Sequence, residues 1–196
     1  MTGSRKEKSV YSTFGEQFAA PSGTRELMDD LGALARGGAG LVNLGGGNPS
    51  RIPAMEQVFR DAWQAISTDD WLALGAVYDA PQGYQPLREA LAGLLVERCG
   101  WPVTPDHLLI TTGSQASFFS VFNLLAGAGP QGFKRILLPQ APEYIGYSQS
   151  AIDPRTFLSY PARIELLPDR RFRYRPDFDA IGGADGLGAL CVSRPC

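Results

Sequence analysis

Cysteine, histidine and lysine are scarce in this 196-residue chain, and each shortage excludes a class of chemistry. The three cysteines, Cys99, Cys191 and Cys196, lie far apart or in a strand-like context, so no disulfide framework is predicted and a reducing cytoplasm is expected. Cys99 and Cys191 are interpreted as core residues rather than nucleophiles. His107 is the only histidine. It is interpreted as structural, because one histidine cannot assemble a histidine-dependent triad or a metal cluster. No bound metal is predicted.

Strong charge and long apolar runs are also lacking. The formal net charge is −2, which gives no large electropositive face and predicts no nucleic-acid partner. No segment is apolar for long enough to span a membrane, and the basic residues at the start are followed by no apolar run, so no signal peptide is predicted. The hydrophobic content of 44% nevertheless indicates a globular protein with a real core.

Helical spacing of apolar residues is the main signal in the first half of the chain. It predicts helices over residues 24–36, 54–66 and 85–99, and Gly100 is expected to end the third of them. Residues 1–23 are polar and are predicted to form an N-terminal arm.

Short apolar runs separated by helices follow from residue 107. Residues 107–112, 135–139 and 188–193 are predicted to be neighbouring strands of one mainly parallel sheet. A helix begins near Ser114 and is apolar nearly all round, so we expect it to be buried. The predicted fold class is α/β, with helices flanking the sheet.

The segment "RRFRYR", residues 170–175, admits two interpretations. Arginines interleaved with aromatic residues are typical of proteins that bind single-stranded nucleic acid. The same alternation fits one strand of an exposed hairpin that turns at Pro168 and Asp169 and places Phe172 and Tyr174 on one face. The hairpin is the favoured interpretation.

The stretch "LLITTGSQASFF" carries the best local signal for a binding site. A strand-like run meets Gly113, and a helix is expected to start immediately after it. The first amides of a helix have no partners within it and carry its positive dipole end, so a phosphate would fit against Ser114 and Gln115. An ordinary strand-to-helix turn explains the local pattern about equally well. No Gly-Lys-Ser/Thr follows, which excludes a P-loop.

Two further motifs could approach a ligand. In "LGGGNP" three glycines, including Gly46 and Gly47, remove side-chain obstruction, although a flexible loop is the simpler interpretation. In "PEYIGY" Tyr144 follows the predicted strand "RILLP". Ligands of parallel sheets bind beyond the carboxyl ends of strands, although taken alone Tyr144 is more simply a packed surface residue.

The order of these motifs resembles a known family. The succession "SGTRELMDDLG", "NLGGGNPSRIP", "YDAPQGYQPLREAL", "TTGSQASFF", "PQAPEYIGY" and "ALCVSRP" is similar to the pyridoxal-phosphate-dependent aminotransferases of the aspartate aminotransferase fold, and within them to the valine–pyruvate branch. The resemblance covers nearly the whole chain. It implies residues 1–50 as an arm and small-domain segment, and residues 51–196 as part of the large, cofactor-binding domain.

The resemblance also implies roles for individual residues. The strand–turn–helix at Gly113, Ser114 and Gln115 would cradle the phosphate of pyridoxal 5′-phosphate. Tyr144 would stack on its pyridine ring, so it is expected near Ser114 and Gln115 on the same edge of the sheet. Tyr78 would reach the phosphate held by the partner subunit of a homodimer.

The substrates implied by the resemblance are an amino acid and a 2-oxo acid. Gly46 and Gly47 would lie near the substrate carboxylate, with Gly47 the better match. Pyridoxal phosphate would act as the electron sink for amino-group transfer, while the protein supplies orientation and electrostatics.

The family pattern then breaks after "ALCVSRP". Family members continue into Asn-Pro-Xaa-Gly, and their Schiff-base lysine follows later, whereas this chain carries only Lys6, Lys8 and Lys134. Lys134 is expected at the amino end of its strand, away from the ligand edge, so no catalytic residue is assigned. The chain is therefore expected to be the first half of such an enzyme, inactive alone. The alternatives are a non-catalytic fragment or pseudo-enzyme, or another enzyme of the fold, such as a lyase.

Overall fold

The computed structural model describes residues 10–36 and 50–193. Contacts along the chain divide it into two units. The first unit comprises residues 1–38 and 113–196, and the second comprises residues 39–112. The predicted domain boundary at residue 50 rests on family resemblance rather than on contacts, and it stays a prediction.

Helices form most of the described chain before residue 126. Their bounds are α1 Thr13–Ala19, α2 Gly23–Arg36, α3 Pro53–Gln64, α4 Thr68–Ala76, α5 Gln85–Cys99 and α6 Ser114–Leu125, with a 3-10 turn at Pro105–His107. Helices α2, α3 and α5 confirm the predictions from apolar spacing. Gly100 ends α5 with a φ of 66°, in the left-handed region that glycine enters without strain.

Before residue 126 two of the described helices were not predicted, and both begin at a serine cap. The Ser12 hydroxyl accepts a hydrogen bond from the Gly15 amide at the start of α1, so the expected polar arm contains a short helix. The Ser67 hydroxyl accepts from the Asp70 amide at the start of α4. Both caps satisfy amides that have no acceptor within their helix.

Strands form most of the regular structure after residue 126. Their bounds are β1 Gly127–Gly129, β2 Gly132–Ala141, β3 Phe157–Pro161, β4 Arg163–Leu167, β5 Arg171–Arg175 and β6 Leu187–Leu190, with a 3-10 turn at Ile145–Gln149 and the short helix α7 at Phe178–Ile181. We call the turn at Ile145–Gln149 the post-strand turn.

Strand β2 is the centre of the main sheet. It pairs in parallel with β3, where Ile136 is opposite Phe157, and in parallel with β6, where Ile136 is opposite Ala189. Strand β1 joins its start as an antiparallel hairpin. The sheet is therefore mainly parallel, and the prediction that residues 135–139 and 188–193 contribute neighbouring strands is confirmed. The fold class is α/β, as predicted.

The prediction of a strand over residues 107–112 is wrong. This segment forms no strand and belongs to the second unit. Its backbone groups bond elsewhere: the Leu108 carbonyl accepts from Arg88 Nε at 3.0 Å, and the Ile110 amide donates to the Gln82 carbonyl at 3.0 Å. Residues 107–112 therefore have the composition of a strand, but no strand lies beside them to pair with their backbone.

Strands β4 and β5 form the predicted hairpin. Asp169 and Arg170 turn the chain with positive φ angles of 61° and 57°. The register sets Leu166 opposite Phe172, and the Phe172 and Tyr174 rings lie 5.5 Å apart on one face.

The core of the first unit lies between α6 and the main sheet. Phe122, Ile136, Leu138 and Tyr147 form its buried cluster. The expectation that α6 is buried all round is wrong, because Leu124 on another face is 82% exposed. The expectation that Cys99 belongs to a core is wrong as well, since it is exposed at the end of α5.

Candidate functional site

The start of α6 is an open approach to the backbone. Gly113 caps the helix with a φ of 115°, and a Cβ added there would meet no atom within 4 Å. Ser114 and Gln115 are the first two residues of the helix, as predicted. Their amides fall among those that lack acceptors inside a helix.

Tyr144 lies against this helix start. It follows β2 by three residues and is 50% exposed. Gln115 Nε2 donates to the Tyr144 hydroxyl at 3.4 Å, so the predicted proximity of these two residues is confirmed. The Tyr144 ring also packs edge-on against Tyr147, with the ring centroids 5.4 Å apart.

Ser150 fixes the other end of the Gln115 carboxamide. Its hydroxyl lies 3.2 Å from Gln115 Oε1 and 3.1 Å from the Gly146 carbonyl oxygen, as a donor to either. Gly146 is buried, and a Cβ there would clash with Gln115 Nε2 and stand 2.5 Å from a Tyr144 ring carbon.

A second group of polar side chains surrounds the Tyr147 hydroxyl. The Tyr147 hydroxyl and Ser193 Oγ are hydrogen-bonded at 2.7 Å. Burial raises the pKa of the Tyr147 phenol and that of the Cys191 thiol, and the negative charge of Glu143 raises both further. Both carboxylate oxygens of Glu143 are buried without a hydrogen-bond partner. The thiol is therefore held protonated, which agrees with the interpretation that Cys191 is not a nucleophile.

Sequence reasoning missed Gly146, Ser150 and Glu143. Gly146 and Glu143 stand inside the quoted motif "PEYIGY", so a signal was present, but no spacing rule says which side chain they meet. Ser150 lies in a polar stretch after the motif and carries no signal of its own.

Tyr78 and two loop glycines are the remaining predicted site residues, and Lys134 is the lysine that was expected to be remote from the ligand edge. Tyr78 follows α4 and is fully exposed in the single chain. Lys134 is the third residue of β2, at the opposite end of that strand from Tyr144, as expected. Gly46 and Gly47 lie outside the described residues.

The remaining predictions concern metals, histidine and membranes. Over residues 10–36 and 50–193, no group of three or more His, Cys, Asp or Glu side chains is arranged to hold a metal ion. His107 has a structural contact, since its Nδ1 accepts from the Thr104 amide at 3.0 Å. In the same part of the chain, each helix is too short or too polar to cross a membrane.

Comparisons with known proteins point to one group of enzymes. The chain is 41% identical over 191 residues to a valine–pyruvate aminotransferase of Escherichia coli K12, an alignment that covers 95% of this chain and 45% of the relative. It is 29% identical over 140 residues to an aspartate aminotransferase of Thermotoga maritima, covering 70% of this chain and 36% of the relative. The chain thus spans less than half the length of these curated relatives. No protein-family model matches it.

Solved structures agree with the sequence relatives. A structure from Psychrobacter arcticum 273-4, provisionally named an amino-acid aminotransferase, superposes with a TM-score of 0.82 at 34% identity, over 95% of this chain and 47% of its own. A valine–pyruvate aminotransferase from Salmonella typhimurium LT2 superposes with a TM-score of 0.67 at 40% identity, over 88% of this chain and 41% of its own.

Proposed function

Because this chain is homologous to aminotransferases of the aspartate aminotransferase fold, we propose that it serves amino-group transfer between an L-amino acid and a 2-oxo acid, with valine and pyruvate as the substrate pair. The observation that carries the proposal is the 41% identity to a valine–pyruvate aminotransferase over 95% of the chain. The chain spans 45% of that relative. The proposal therefore treats it as one part of the enzyme, the first half.

Pyridoxal 5′-phosphate is the proposed cofactor. The open helix start at Gly113 suits its phosphate, which would meet the first amides of α6 and the side chains of Ser114 and Gln115. The half-exposed ring of Tyr144 suits its pyridine ring. When bound, the cofactor would supply the electron sink that protein side chains lack.

The chain's own residues would bind and orient the cofactor without attaching it covalently. Lys134 lies at the far end of β2 from Tyr144 and is too remote to reach a ring stacked there. Strand β2 ends at Ala141 and rises about 3.3 Å per residue, so the seven steps from Lys134 to that end span on the order of 23 Å. We therefore propose weak cofactor binding and no turnover for the 196-residue chain by itself.

The proposed assembly is a homodimer located in the cytoplasm. Tyr78 is fully exposed in the single chain, which would allow its hydroxyl to reach a cofactor phosphate held by a partner subunit. Gly46 and Gly47 are proposed to lie near the substrate carboxylate.

Titration with pyridoxine 5′-phosphate tests the cofactor site. This probe keeps the ring and the phosphate but has no aldehyde, so it measures non-covalent binding alone. We expect saturable binding, competition by inorganic phosphate, and weaker binding by Tyr144→Ala. Tyr174→Ala, which removes a tyrosine on the hairpin, is the matched control and should bind like the wild type. Absence of saturable binding by the wild type would overturn the proposed cofactor site.

Transamination tests the assignment of activity. The chain is supplied with pyridoxal 5′-phosphate, L-valine and pyruvate, and alanine formation is followed. We expect no rate above that of free cofactor, and activity once the chain is extended to the length of its relatives. Turnover by the 196-residue chain that Tyr144→Ala abolishes and Lys134→Ala leaves intact would show that a lysine outside this chain is dispensable.

A further inference from the structure

The Gln115 carboxamide is held at both ends although Gln115 lies at the surface. Its Nε2 donates to the Tyr144 hydroxyl at 3.4 Å, and its Oε1 lies 3.2 Å from the Ser150 hydroxyl. An exposed glutamine normally samples several rotamers, and fixing it costs side-chain entropy. Two partners from one short segment therefore select a single arrangement for the side chain.

Ser150 is itself held in a fixed position. It is only 4% exposed. Asn123, two turns further along α6, donates from Nδ2 to the Ser150 carbonyl at 3.2 Å and accepts from the Ile152 amide at 2.8 Å. The segment that carries Ser150 is thus tied to the same helix that carries Gln115.

Gly146 provides the space in which the glutamine and the tyrosine meet. Its backbone is not in the left-handed region, so an alanine is compatible with the backbone there. The obstruction is the side chains: a Cβ would clash with Gln115 Nε2 and stand 2.5 Å from a Tyr144 ring carbon. The flexible end of Gln115 would yield before the ring does.

We infer that Gly146 and Ser150 are positioning residues that hold Gln115 against Tyr144, so that the proposed phosphate contact and ring contact of the cofactor are aligned before it binds. The inference rests on the proposed function, because it assigns these two residues to the same cofactor site. Alignment before binding avoids the cost of ordering side chains at the moment of binding.

Three variants separate this role from a merely structural one. Ser150→Ala removes the hydroxyl that faces Gln115 Oε1, and Gly146→Ala fills the space. Ser148→Ala is the matched control, since its hydroxyl lies in the same post-strand turn and donates to the Ile145 carbonyl at 3.1 Å without reaching Gln115. Each variant is titrated with pyridoxine 5′-phosphate, and the side-chain amide signal of Gln115 is followed by NMR without ligand.

We expect Ser150→Ala and Gly146→Ala to weaken binding roughly threefold to tenfold, the worth of about one hydrogen bond. The Gln115 amide signal should move toward that of a free glutamine in both, and neither change should occur in Ser148→Ala. In a Gln115→Ala background, Ser150→Ala should have no further effect on affinity, because its action passes through the glutamine.

Two results would overturn the inference while leaving the cofactor site intact. One is unchanged affinity of Ser150→Ala and Gly146→Ala in a chain whose wild type binds the probe. The other is an undiminished effect of Ser150→Ala when Gln115 is already alanine, which would mean that the serine acts through the fold. Absence of binding by the wild type, in contrast, would overturn the proposed function itself.

Discussion

Arg88 shows how one buried cation can order an irregular segment. It lies in α5 and is 5% exposed. Its guanidinium donates to the Pro105 carbonyl at 2.6 and 3.1 Å and to the Leu108 carbonyl at 3.0 Å. These carbonyls belong to residues that lie outside any strand, so the arginine supplies donors that a neighbouring strand would otherwise supply.

Replacing Arg88 should therefore destabilise the second unit. We predict that Arg88→Met lowers the free energy of unfolding by about 3 kcal/mol, because two backbone carbonyls lose charged donors. Trp63, Trp71 and Trp101 all lie in this unit, so tryptophan fluorescence during urea unfolding reports on it alone. Arg98→Met, an exposed arginine of the same helix, is the control and should change little. Equal stabilities of the two variants would contradict the role given to Arg88.

At the scale of elements, one carboxylate stabilises the pairing of β4 with β5. Glu165 accepts from Arg173 at 2.7 Å and also pairs with Arg175 on the neighbouring strand. These two guanidinium groups, Arg173 foremost, lower the pKa of Glu165 from its usual 4.5 to about 2. The alternation of charge and aromatic residues in "RRFRYR" serves this cross-strand pairing.

The pH dependence of the hairpin follows from that lowered pKa. The folded state binds the Glu165 proton less readily than the unfolded state does, so the pair stabilises the hairpin above pH 4.5. Its contribution is lost as the pH falls from 4.5 toward 2. A carboxyl NMR titration should give a midpoint near 2 for Glu165, and Arg173→Gln should raise it, whereas Arg171→Gln should not. A midpoint near 4.5 in the wild type would contradict the pairing.

Elements were predictable where a local pattern suffices. The apolar stripes of α2, α3 and α5 and the alternation of the hairpin are read from neighbours in sequence, and each was found. Helix α4 was missed because its signal is a serine cap on a short, weakly amphipathic run. The run at residues 107–112 was misassigned because a strand needs a partner, and partners come from distant sequence.

At the scale of the whole molecule, apolar surface is exposed at the edge of the main sheet. Among the described strands, β6 pairs with β2 alone, and Leu190 at its end is 61% exposed. Unpaired strand edges with apolar side chains promote association between copies.

We predict that the 196-residue chain self-associates as its concentration rises. Leu190→Lys should reduce the association by placing a charge on the β6 edge, measured as the weight-average mass by light scattering. Ser148→Lys introduces the same charge at an exposed polar position and should have a smaller effect. If both lysine variants behaved alike, net charge rather than the β6 edge would govern the association.

The candidate site was partly visible in the sequence. Gly113, Ser114 and Gln115 were found because a glycine before a helix start is a local pattern with a physical consequence. Tyr144 was found because it follows an apolar strand. Their roles toward a cofactor stay predictions, as do those of Tyr78, Gly46 and Gly47.

The α/β class, the amphipathic helices and the helix start that could receive a phosphate follow from local sequence, because each depends on residues close along the chain. Tertiary packing alone brings Ser150 and Gly146 to Gln115, sets Arg88 in the place of a strand neighbour, and buries the carboxylate oxygens of Glu143. The contacts of Arg88 and of Gln115 join residues 17 to 35 positions apart. The burial of Glu143 depends on which side chain a turn directs inward. Periodicity along the chain carries no information about such distances, because they are set by how the elements pack.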